Sequence, residues 1–148
     1  MIKLYNLIQD PFAEYLPENC KFCLRSEIDA LHRITCDMLE IADIYPDILW
    51  KYSDKLRNAH GEAYWYEDDN GKIQWRITYD TKEWLAMGSD GRKNTIIHEV
   101  CHLAIEKLLG HNRDPRKGEI VEDHGSQWQA LMVKCGELPF YENSWCYR

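Results

Sequence analysis

Apolar residues recur every three or four positions in several parts of the chain, the spacing that places them on one face of an α-helix. The first such stretch contains Ile28, Leu31, Ile34, Met38 and Leu39. It predicts a helix that Ser26 caps and that ends near Ala42, because a serine side chain can accept hydrogen bonds from first-turn amides. After Pro46, the sequence favours a second, weaker helix over residues 47–58. These helices are expected to form one wall of the core.

The hydrophobic period changes to two in the middle of the chain, which is the spacing of a strand with one buried face. Residues 61–66 and 72–79 are rich in aromatic and β-branched residues, and Asn70-Gly71 lies between them. This arrangement predicts a β-hairpin, since both turn residues tolerate positive φ. In the second strand, apolar and polar positions alternate: Ile73, Trp75 and Ile77 against Gln74, Arg76 and Thr78. Residues 84–87 predict a third short strand or a turn.

A third apolar stretch predicts the helix on which the chemistry of the chain depends. Apolar side chains surround most of residues 95–109, with Gly110 beyond the last turn, which is the pattern of a buried helix. Within it, His98-Glu99-Val100-Cys101-His102 forms an HExxH motif. Positions four apart share a helix face, so both imidazoles can reach one ion. Burying two histidines and a glutamate is costly unless a partner such as a divalent cation satisfies them. The simpler alternative is two core histidines hydrogen-bonded to the backbone.

Glu99 is the candidate general base of this motif. It projects about 100° around the helix from His98, so its carboxylate lies near the ion without being a ligand. From there it can take a proton from a water that the metal activates, which suits hydrolysis.

The last amphipathic stretch places another histidine beside a helix start. Its apolar positions are Trp128, Leu131, Met132 and Cys135. Ser126 is the predicted cap, and Gly136 and Pro139 are expected to end the helix. His124 therefore lies just before a helix N-terminus.

The third metal ligand is open at this point. A catalytic zinc takes three protein ligands and a water. The metzincin pattern is excluded because it needs a histidine where Leu108 stands. The remaining candidates are His124, Glu122 and His111.

The charge of the chain bears on its partners. A net charge of −7 over 148 residues argues against a surface built entirely for nucleic acid. A local basic patch is compatible with that charge, formed by Arg92 and Lys93 before the motif helix and Arg113, Arg116 and Lys117 in the loop after it. Solvated loop charges are the simpler interpretation, and contact with DNA phosphates is the alternative.

Length and cysteine content suggest one domain, residues 1–148, in the cytoplasm. The first residues lack the apolar segment of a signal peptide, and no apolar run is long enough to span a membrane. Six cysteines are expected as reduced thiols, and Cys20 and Cys23 form half a zinc knuckle without a partner pair. His32 and His60 are expected at the surface or at the ends of elements.

These motifs, in this order, resemble the SprT-like metalloprotease family, which includes Spartan-type proteases. The resemblance depends on a strand run ending near Tyr79, the HExxH helix, and the segment His124-Gly125-Ser126-Gln127-Trp128, where family members carry His-Gly and then an aromatic residue. It covers about residues 55–140. It implies an α+β fold of the zincin-like kind, in which a small antiparallel or mixed sheet packs on the HExxH helix, with N-terminal helices and a C-terminal helix.

The resemblance further implies that His98, His102 and His124 bind Zn²⁺ and that Glu99 is the general base of a zinc metalloendopeptidase. Its substrates would be proteins, including ones cross-linked to DNA. Many bacterial relatives continue into a Cys-rich zinc ribbon, whereas only Cys135 and Cys146 stand near Arg148 here.

A non-catalytic domain that binds nucleic acid or protein is the alternative from another functional class. In it, the metal would only stabilise the fold. Structural zinc sites are usually closed by four ligands and rich in cysteine, so three histidines with an acid favour catalysis.

Overall fold

The computed structural model describes residues 24–56, 60–109 and 125–138. Within them, helices and strands alternate in an α+β arrangement. The elements are α1 (Arg25–Met38), a 3₁₀ helix (Tyr45–Asp47), β1 (Ile48–Ser53), β2 (Gly61–Glu67), β3 (Ile73–Asp80), α2 (Thr81–Ala86), α3 (Ser89–Leu109) and α4 (Ser126–Lys134). No helix in this part of the chain is both long and apolar enough to cross a membrane.

The three strands form one mixed sheet with β3 in the centre. β1 runs parallel to β3, with Trp50 opposite Ile77, and β2 runs antiparallel to it, with Gly61 opposite Tyr79. Helices α1 and α3 pack against each other, and α3 also contacts β2 and β3. The long helix α3 is thereby held between the sheet, α1 and α4.

The predicted hairpin is confirmed. Its turn is held by Asp68, whose amide donates to the Lys72 carbonyl at 2.8 Å and whose Oδ1 accepts from the Asn70 and Lys72 amides at 2.9 Å. Gly71 has φ +78°, whereas Asn70 does not adopt positive φ. Only the glycine therefore uses the left-handed region that the Asn-Gly pair offers.

The helix predicted over residues 47–58 is wrong, because residues 48–53 form strand β1. Ile48 and Trp50 are fully buried on one face of this strand, and Lys51 is exposed on the other. A period of two is the pattern of a half-buried strand, but over six residues it is too short to separate from a helical turn. Pairing with β3, a contact distant in sequence, decides the structure.

Residues 81–86 form helix α2 rather than a third strand or a turn. The Asp80 side chain caps this helix by accepting a hydrogen bond from the Glu83 amide at 2.9 Å. An aspartate before the first turn is a strong helix start. Trp84 then turns into the core, where it is fully buried.

Both serine caps predicted from the sequence are wrong. α1 begins one residue earlier than Ser26, with Leu24 as its N-cap, and the Glu27 carboxylate accepts from the Leu24 amide at 3.3 Å. The helix ends at Met38 rather than near Ala42. α4 begins at Ser126 itself, with Gly125 as its N-cap and no side-chain cap.

The predicted end of α4 at Gly136 is confirmed. Gly136 has φ +78°, its amide donates to Val133 O at 2.9 Å, and the Glu137 amide donates to Met132 O at 3.0 Å. These two bonds form a Schellman motif, which closes the last turn and favours glycine at the left-handed position. Pro139 lies outside the described residues.

Candidate metal centre

The two histidines of the HExxH motif lie on one face of α3 with their side chains brought together. His98 Nε2 and His102 Nε2 are 3.1 Å apart, and the two rings cross at 66° with centroids 4.8 Å apart. With Glu99, they form a group whose ligand atoms all lie within 4.8 Å of one another and that could hold a metal ion. This convergence follows from helix geometry, because residues at i and i+4 stack over one turn.

The donor set fits a divalent ion that prefers nitrogen. Two imidazole nitrogens each about 2.0–2.1 Å from a tetrahedral ion lie about 3.3 Å apart. The observed separation of 3.1 Å is close to this value. His98 keeps about 15% of its side chain exposed, so this face is reachable from solvent.

Glu99 lies beside this pair and is almost completely buried. Its Oε1 atom is 3.9 Å from His98 Nε2, and only 5% of its side chain is exposed. A distance of 3.9 Å is too long for a hydrogen bond. It is short enough for the carboxylate and the imidazole to approach the same metal ion. Glu99 is therefore placed beside the two histidines on the face of α3 that could hold a metal ion.

Trp128 of α4 covers both histidines. Its ring centroid is 4.7 Å from that of His98 and 5.6 Å from that of His102, which it stacks on at 23°. Its indole N–H donates to the His98 carbonyl at 3.3 Å. Trp128 is buried, so α4 fixes the orientation of the two imidazoles through one side chain.

His124, Glu122 and His111, the candidates for a third ligand, lie outside the described residues. α4 nevertheless starts two residues after His124 and lies against the His98–His102 pair through Trp128. The loop basic residues Arg113, Arg116 and Lys117 also lie outside the described part of the chain, as do Cys20, Cys23 and Cys146.

The expectation for His32 is wrong. Its side chain is fully buried, and its Nε2 atom lies 2.6 Å from the Tyr79 hydroxyl. The partner stands on the central strand, far away in sequence, so no local pattern identifies the contact. His60 lies at the start of β2 and pairs with Glu83 at 3.1 Å.

Arg92 does not belong to a basic surface patch. It lies inside α3, is buried, and donates from Nε to the Trp84 carbonyl at 3.0 Å. Burial lowers the pKa of its guanidinium. Its role is to tie α3 to α2, whereas Lys93 stays partly exposed 3.8 Å from Glu137.

Cys101 lies between the two histidines in sequence but points into the core. It is fully buried. A hydrogen bond with Cys135, together with burial, raises the pKa of its thiol. Cys36, Cys101 and Cys135 are free thiols in the described part of the chain.

Comparison with known families identifies the chain. The SprT-like family model matches residues 36–146, about three quarters of the sequence. The chain belongs to the SprT-like family. The match starts at Cys36 within α1 and includes β1, so it extends further toward the N-terminus than the motifs around residues 55–140 indicate.

Searches among curated proteins and among solved structures found no match to this chain. Membership of the SprT-like family is consistent with a metallopeptidase-type enzyme.

Proposed function

We propose that this protein is a zinc-dependent metallopeptidase with a zincin-like fold. His98, His102 and His124 would hold the ion, and Glu99 would act as general base. The observation that supports this most is the approach of the two Nε2 atoms to 3.1 Å, with the Glu99 carboxylate 3.9 Å from His98. Membership of the SprT-like family adds support.

The chain's own residues divide the chemistry between them. When bound, the zinc ion supplies Lewis acidity that makes a water nucleophilic near neutral pH. Glu99 accepts the proton of that water and returns it to the leaving amine. His98 and His102 keep their geometry because Trp128 packs on both rings. The Glu99 carboxylate is buried, so little water screens its interaction with a bound cation.

The proposed substrates are proteins, including ones cross-linked to DNA, as the family resemblance implies. Arg113, Arg116 and Lys117 remain the candidates for contact with DNA phosphates. Lowered salt should then strengthen DNA binding by the full chain, because phosphate contacts release counterions.

Replacing Glu99 by glutamine tests the mechanism. The amide keeps the size of the side chain but cannot accept the proton, so Glu99→Gln should retain zinc and lose at least about 100-fold in kcat on a quenched fluorescent protein substrate. Metal content is measured by mass spectrometry of the purified variant. Glu67→Gln, the same change at an exposed position of β2, is the matched control and should keep full activity.

Two results would contradict the proposal. A wild-type kcat in Glu99→Gln would show that Glu99 is not the general base. A fourth protein ligand on the bound zinc would favour the alternative, a non-catalytic domain that the ion stabilises.

A further inference from the structure

Gly61, the first residue of β2, lies directly against the Glu99 side chain. A Cβ built at this position would be 3.0 Å from Glu99 Cγ, 3.3 Å from Glu99 Cδ and 3.3 Å from Tyr79 Cδ1. Contacts this close require a neighbour to shift. The space between the strand and the glutamate is therefore filled without any side chain at position 61.

The need for glycine here is spatial. The described glycines with positive φ are Gly71 and Gly136, so the backbone at Gly61 suits any residue. In a strand, alanine loses less conformational entropy than glycine on folding, which would favour the substitution by itself. Any loss of activity or stability caused by alanine at position 61 must therefore come from the contacts of its methyl group with neighbouring atoms.

Of the two neighbours, Tyr79 is held in place by contacts on several sides. It is fully buried, its hydroxyl is 2.6 Å from His32 Nε2, and its ring packs on Trp84 and Trp50 with centroids 4.5 Å and 5.8 Å away. The backbone of β2 is also fixed, because Gly61 pairs with Tyr79 and the Asp80 amide donates to His60 O at 2.9 Å. The displacement therefore falls on Glu99.

We infer that Gly61 is a positioning residue for Glu99. Its backbone, which carries no side chain, forms one wall of the slot that holds the Glu99 carboxylate beside the His98–His102 pair. The inference rests on the proposed function, in which Glu99 transfers the proton. A methyl group at position 61 moves the Glu99 stem by a few tenths of an ångström. Proton transfer depends on hydrogen-bond reach to the reacting water, so a small displacement lowers the rate of the chemical step.

Gly61→Ala tests this by separating kcat from stability and metal binding. We expect kcat to fall about tenfold, with KM, zinc content and Tm close to those of the wild type. Gly136→Ala is the matched control. Its φ of +78° makes alanine strained there, and nothing lies within 4 Å of the added Cβ. This control should lower Tm and leave kcat unchanged.

A second comparison asks whether the effect passes through Glu99. In a Glu99→Ala background the two Glu99 atoms that the methyl group would meet are gone and only the contact with Tyr79 Cδ1 remains, so adding Gly61→Ala should lower the residual rate by much less than tenfold. An equal tenfold loss of kcat in both backgrounds would overturn the inference. A Gly61→Ala variant with wild-type kcat would also overturn it, as would one whose loss of activity is explained by lost zinc or by a lowered Tm. If Glu99→Gln is itself fully active, the proposed function fails; if only Gly61→Ala is fully active, this inference alone fails.

Discussion

Tyr79 and His32 join the central strand to α1 through a buried polar contact. The phenol oxygen and His32 Nε2 are 2.6 Å apart, and both side chains are fully buried. Burial raises the pKa of Tyr79 well above its usual value, so the phenol keeps its proton and can donate it to Nε2. The contact also immobilises the ring next to Gly61, which makes it part of the support for Glu99.

Removing both partners of this contact should cost less than the two single removals added together. His32→Phe and Tyr79→Phe should each lower the free energy of unfolding by about 1–3 kcal/mol, because each deprives a buried polar atom of its hydrogen bond. The double variant should lose less than the sum, measured by urea unfolding. Additive losses would show that the contact contributes nothing to stability.

The same pair predicts a dependence on alkaline pH. Because the pKa of Tyr79 is higher in the folded chain than in the unfolded one, its contribution is complete below about pH 10 and declines as the pH rises above that value. Tyr79→Phe should reduce this decline.

At the scale of elements, α4 contacts α3 at the candidate ligands. Trp128 is buried against both histidines and donates to the His98 carbonyl. The opposite face of α4 carries Val133, which is 58% exposed. A shift of α4 would therefore change the packing of Trp128 on the two imidazoles.

Trp128→Phe should weaken both metal binding and the fold, by comparable amounts. Phenylalanine keeps an aromatic ring but loses the N–H and part of the contact area, so we expect a loss of about 1–2 kcal/mol in the free energy of unfolding. Zinc affinity should fall about tenfold, the lower end of what second-layer partners of metal ligands contribute. Competition with a zinc-binding dye measures the affinity. Val133→Ala is the control on the exposed face, and an equal loss of affinity there would contradict the role of Trp128.

Whether an element can be predicted from the sequence depends on how far apart in the chain the residues that determine it lie. The hairpin and the His98–His102 pair were predictable because an Asn-Gly turn and an i, i+4 spacing are local patterns. β1 was not, because Ile48 and Trp50 become a strand only by pairing with β3. Gly61 beside Glu99 and His32 beside Tyr79 were missed for the same reason: each contact joins distant parts of the chain.

At the scale of the whole molecule, a bound ion should contribute to stability. The proposed site joins α3 to the segment before α4, and a ligand that binds only the folded state stabilises it by mass action. At a zinc concentration of about 100 times Kd, this is about 2.7 kcal/mol. For a chain of this length, Tm should rise by about 5–10 °C.

Chelation and two ligand variants measure this contribution. Removing zinc with a chelator should lower Tm by that amount, and adding zinc should restore it. His124→Ala should abolish most of the shift, while Glu122→Ala should preserve it. The reverse result would assign the third ligand to Glu122.

The strand order has a consequence for synthesis on the ribosome. β1 and β2 both pair with β3, the last strand of the three to be translated. Until Asp80 has left the exit tunnel, the buried side of β1, including Trp50, has no sheet to join. α3 is translated immediately afterwards, so the sheet and the helix that carries the candidate ligands become available within a few seconds of each other at ordinary elongation rates. A nascent chain that stalls before residue 80 would therefore offer chaperones an unpaired apolar strand.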